Sequence, residues 1–174
     1  MNQISVQKIN TSLTAPGAMN GSTALPDTVA ALDFERLKFK NTATSEAGMT
    51  AQEWDAAELE YRRFLALKVM YPGIALVPSK LVDKIWHAHI LDTRAYRDNC
   101  EKVFGRFIDH YPYFGIYGDD DHEALQQSFA QTVELYERHF GAYPKDSDAV
   151  ASRCAGHACH VPTTCACRSP GACK

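Results

Sequence analysis

Apolar side chains recur through residues 27–144 at intervals of three and four, and no stretch alternates with a period of two. That spacing lines one face of an α-helix. It predicts an all-α single compact bundle of about five helices. The first helix is expected over about residues 27–40, with Val29, Leu32, Leu37 and Phe39 on its apolar side. The second starts after Thr50. Thr50 and Glu53 have the spacing of a capping box, and Met49 and Trp54 that of a hydrophobic staple. Tyr71, Pro72 and Gly73 should end it. A third helix follows Ser79, a candidate N-cap, with Val82, Ile85, Trp86 and His89 in register. Asp92 is placed to restart a fourth, carrying Tyr96, Cys100, Val103 and Phe107 on one face. Residues 110–118 are aromatic but too rich in Pro and Gly to be helical. The last helix opens on Asp119 to Asp121 at its positive end and turns Leu125, Phe129, Val133, Tyr136 and Phe140 inward, with Gly141 at its stop.

Polar residues with few charges fill positions 1–26, which reads as a flexible arm; residues 145–174 read as a linker and a Cys/His-rich tail. No apolar run approaches the roughly 20 residues of a membrane span, and the first 26 lack the apolar stretch of a signal peptide. A cytoplasmic protein is therefore expected, with no membrane partner. The net charge of -3 gives no general case for nucleic acid. That charge is unevenly divided. Beyond Asp148 lie Arg153, Arg168 and Lys174 and no acid, so the tail counts +3 and the rest of the chain -6.

Chemistry concentrates in two places. The first is Trp86-His87-Ala88-His89. On a regular helix His87 and His89 point about 200° apart, so they serve one metal only if the helix breaks; otherwise they have separate jobs. The metal reading joins His87 and His89 with His110, three imidazoles with a vacant fourth corner as in catalytic zinc sites. Asp83, one turn before His87, would then orient that imidazole from behind. The competing reading makes His89 a hydrogen-bonded core residue, pairs His87 with Asp83, and gives His110 a loop-capping role.

Residues 81–100, LVDKIWHAHILDTRAYRDNC, resemble the signature of the glycine-rich domain-containing-protein-like family, and the resemblance extends over about residues 32–143. Asp83, Trp86, His87, His89, Tyr96, Cys100 and His110 fall on its motif positions. The resemblance implies a shared site at His87, His89 and His110 and no particular activity. This chain resembles the bacterial members: it has no glycine-rich region, so the developmental and stress roles of plant members are not carried over. Cys100 shares an apolar face with Tyr96 and Val103, which favours packing over ligation or nucleophilic chemistry.

The second place is the tail, where Cys154, His157, Cys159, His160, Cys165, Cys167 and Cys173 crowd into the last 21 residues. Thiolates with imidazoles suit zinc or copper(I). The spacing is not that of a zinc finger, and the segment is too poor in bulky apolar residues to build a core. Three readings stand: a metal-binding tail, a disulfide or redox tail, and a Cys-rich peptide modified by a partner enzyme. The expected function is a cytoplasmic metal-binding protein. It holds zinc or copper(I) on the tail, with zinc as a further expectation at the His cluster. The alternatives are a helical leader carrying a modified peptide, and a zinc enzyme using His87, His89 and His110.

Overall fold

The computed structural model describes residues 23–43, 48–145 and Ala151. Six helices lie among them: α1 (Asp27–Ala30), α2 (Glu35–Ala43), α3 (Ala51–Met70), α4 (Lys80–Leu91), α5 (Thr93–Phe104) and α6 (Asp119–Phe140). The described residues form no strand, only a single antiparallel bridge between Ser79 and Ala151. The all-α expectation holds.

Three helix starts follow from local sequence. The Thr50 side chain accepts from the Glu53 amide while Glu53 accepts from the Thr50 amide, a reciprocal capping box. Ser79 Oγ accepts from Val82 N, and Asp92 Oδ1 accepts from Ala95 N. Each satisfies an amide that the first turn leaves without a partner. α5 stops where Gly105 takes the left-handed conformation, φ 62°, that a Cβ would disfavour.

The expected first helix is instead two, α1 and α2, separated by Leu32, Asp33 and Phe34. Asp33 Oδ1 accepts from Glu35 N and starts α2. Phe34 turns into the core, where its ring meets Tyr61 and the edge of His89. Arg62 of α3 completes the break: its guanidinium donates to the carbonyls of Val29, Ala30 and Leu32 and lies 4.8 Å from the Phe34 ring. Phe39, expected inward, is 64% exposed because α2 begins in a new register. Phe107 lies past the end of α5; it is half exposed and rests edge-on against Tyr96.

α3 is the central element, packed on α1, α2, α4 and α6. It contributes Trp54, Ala57, Tyr61, Phe64 and Leu67 to the core, each large side chain adding about 1.5–3 kcal/mol by leaving water. α4 and α5 pack on each other across the Asp92 turn. A second, smaller apolar cluster gathers Val77, Leu125 and Ala151, with Phe114 and Phe129 packed around it. Asp121 Oδ2 accepts from the amides of Gly115 and Tyr117 and so pins the aromatic segment to the start of α6. No helix among the described residues is long and apolar enough to cross a membrane.

Candidate metal centre

α4 runs without a break through His89 to Leu91, so the two histidines of residues 86–89 take opposite sides. The structure separates them. His89 is 3% exposed. Its Nδ1 lies 2.9 Å from the Tyr61 hydroxyl and its Nε2 3.0 Å from the Asn99 amide nitrogen. With Asn99 donating to Nε2, the ring proton sits on Nδ1 and is donated to the Tyr61 oxygen. Rings of Phe34 and Tyr96 close the box at 5.0 and 4.9 Å. Burial drives the His89 pKa down to about 4, and Asp92 opposes only part of that. His89 therefore does not join His87 and His110; both its nitrogens are committed to the core.

What converges is Asp83, His87 and His110. Asp83 and His87 are one turn apart on the exposed side of α4. His110 comes from the segment after α5. Its Nε2 is 2.9 Å from Asp83 Oδ1 and 3.1 Å from His87 Nε2, and His87 Nε2 is 3.8 Å from Asp83 Oδ2. One ligand atom from each lies within 4.8 Å of the other two. Tetrahedral zinc with bonds of about 2.0–2.2 Å separates its ligand atoms by roughly 3.4 Å, inside the range of these spacings. Asp83 thus stands beside both imidazoles, with its carboxylate facing His110 as well as His87. Its carboxylate meets His110, 27 positions on, more closely than it meets His87.

The approach of His110 is built, not incidental. The Tyr96 hydroxyl accepts from Trp86 Nε1 at 2.9 Å and donates to the Ile108 carbonyl at 2.6 Å. Two residues later the His110 ring packs edge-on against Trp86 at 4.7 Å. Trp86 and Tyr96 thereby fix the loop that delivers the imidazole. Cys100 is buried at 4% exposure in the core cluster with Tyr96, a packing position.

A groove of about 240 Å³ opens beside the cluster, between Asp83, His110 and Trp86 on one side and Val77 and Leu125 on the other. Lys68 reaches its wall, with its ammonium 5.3 Å from the Phe64 ring and 5.2 Å from Trp86. Burial, then the charge of Arg106, brings the Lys68 pKa down to about 8. Nothing in the sequence singles out Lys68, which follows Phe64 by one turn of α3. A larger depression of about 600 Å³ lies between α2 and the end of α4, around Leu37, Phe39 and Leu91; it holds none of the three convergent side chains. Cys154, His157, Cys159, His160, Cys165, Cys167 and Cys173 lie outside the described residues.

Among comparisons with known proteins, no curated protein and no solved structure matches the chain. A family model described as UCP032817-like matches residues 26–140. That span runs from the residue before α1 to the last residue of α6 and includes Asp83, His87 and His110. The match does not bear on the resemblance to the glycine-rich domain-containing-protein-like family. By that match the chain belongs to the UCP032817-like family.

Proposed function

We propose that the protein binds a divalent transition metal, zinc by its donor set, through Asp83, His87 and His110. The supporting observation is the convergence of three ligand atoms from two separate elements, with the third delivered by a braced loop. Two imidazoles and a carboxylate suit zinc; copper(I) prefers softer sulfur ligands. Three protein ligands leave one corner of a tetrahedron for a fourth. His89 has no part in the centre, which is smaller by one imidazole and larger by one carboxylate than the sequence suggests.

Elemental analysis of the purified full-length protein tests this. One zinc per chain is expected, falling below about one tenth of that in both Asp83→Asn and His110→Gln while their far-ultraviolet circular dichroism stays unchanged. Folded variants that keep full metal would refute the assignment.

A further inference from the structure

Lys68 lies one turn after Phe64 on α3, and its side chain is half-buried. Its ammonium stands 5.3 Å from the Phe64 ring and 5.2 Å from Trp86. Ring faces attract a cation but do not replace the oxygen acceptors that its three N–H groups find in water. No carboxylate among the described residues pairs with it. Taking a charge out of water without a partner is costly. The nitrogen is not sealed in, because among the described residues no buried side-chain nitrogen goes without a partner. It stays open to the groove whose wall it joins.

That groove suits an anion with an apolar body. Trp86, Phe114 and Leu125 give it an apolar lining, and Asp83 and His110 line it too. The Trp86 ring is 5.2 Å from the ammonium and 4.7 Å from the His110 ring, so the cation and the candidate metal centre flank one indole. His87 is not part of the lining; a metal held by the three side chains is reached from the groove past Asp83 and His110. The volume of about 240 Å³ falls below the roughly 300–1,000 Å³ of pockets for drug-sized ligands, which limits the occupant to a small molecule. Lys68 is the groove's one lysine or arginine among the described residues. A single ammonium suits a carboxylate better than a phosphate, which has more charge and more oxygens to satisfy. Arg106 adds its positive charge from nearby. Of the two acids in the lining, Asp83 faces the metal, and Asp109 is exposed, where water screens it.

We infer that the groove takes a small organic acid with an apolar body, its carboxylate on Lys68, its body on Trp86, and a second oxygen donor turned to the fourth corner of the metal. The second end rests on the metal reading above, and the inference names the class of molecule that the centre receives. An ammonium at one end and a metal at the other select for length as well as charge. An acid with only one anchoring group meets half of the site, and a cation is turned away by Lys68.

Titration of the zinc-loaded full-length protein with terephthalate, a rigid dicarboxylate, and with benzoate, which has one carboxylate, tests this. Quenching of Trp86 fluorescence reports binding, while Trp54, fully buried outside the groove, gives a constant background. Both acids should bind one per chain, terephthalate about tenfold tighter or more, and a chelator should cancel only that advantage. Lys68→Met, which keeps the apolar stem, should weaken both by about tenfold or more with unchanged far-ultraviolet circular dichroism, and Lys68→Arg should recover part of the loss. Zinc-loaded protein that binds both acids equally well with Lys68→Met, or that shows no saturable quenching, overturns the inference and leaves the metal reading intact. A chain that holds no zinc but binds benzoate through Lys68 overturns the metal reading and the metal end of the inference, and upholds its anion end.

Discussion

The buried imidazole of His89 gives a forecast for how the fold responds to acid. It is buried and neutral, with a pKa brought from 6.5 down to about 4 by burial. The unfolded chain takes up a proton near its ordinary value, so between pH 6.5 and 4 the unfolded state binds more protons than the folded one. Stability contributed by this group is thus complete above pH 6.5 and falls as pH drops toward 4. At about 1.4 kcal/mol for each pH unit, the loss reaches about 3 kcal/mol by pH 4, a large part of the 5–15 kcal/mol typical of a domain. The groups facing His89 do not cancel this: Asn99 is uncharged, Tyr61 is buried and held neutral, and Asp92 recovers only a minor part. Urea unfolding, followed through the buried Trp54 and Trp86 in the presence of a chelator, measures it from pH 7.5 to 4. His89→Gln should be less stable at pH 7 but lose about 3 kcal/mol less on acidification. Parallel pH curves would refute the claim that His89 is held neutral by burial.

Tyr96→Phe should cost about 2–4 kcal/mol in denaturant unfolding, since it leaves the Trp86 indole N–H and the Ile108 carbonyl unpaired in the interior. It should also weaken metal binding although it removes no ligand, and unchanged metal affinity would show that His110 needs no such brace. Gly115→Ala should destabilise by about 1–3 kcal/mol, because φ is 83° there and a Cβ would stand 2.7 Å from Leu125 Cδ2. A melting temperature within a degree of the parent would count against that strain.

The parts of the fold legible in the sequence were those set within a few residues. Thr50 with Glu53, Ser79 with Val82, and Asp92 with Ala95 are local exchanges of one side chain for one amide, so their spacing is their signal. The break at Leu32 to Phe34 was hidden because what enforces it is distant: Arg62 is 30 positions away and His89 further still. The opposite facing of His87 and His89 could be read from helical angle alone. Which of them His110 would meet could not, because that depends on Tyr96 holding the Ile108 carbonyl. The sequence ranked Asp83 as a helper of His87, since i, i+4 neighbours are visible on a helix and a contact 27 positions away is not.

The Arg62 contacts bear on the order of assembly. α1 is four residues long and has no side-chain cap of its own. A helix of one turn does not survive alone, because its nucleus costs more than its few bonds return. Its last carbonyls find their donors on the guanidinium of α3. α1 can therefore form only after α3 has folded and presented that side chain, which makes it a late arrival on the folding path. In hydrogen exchange, the α1 amides should report when the tertiary structure has closed, rather than when helices first appear.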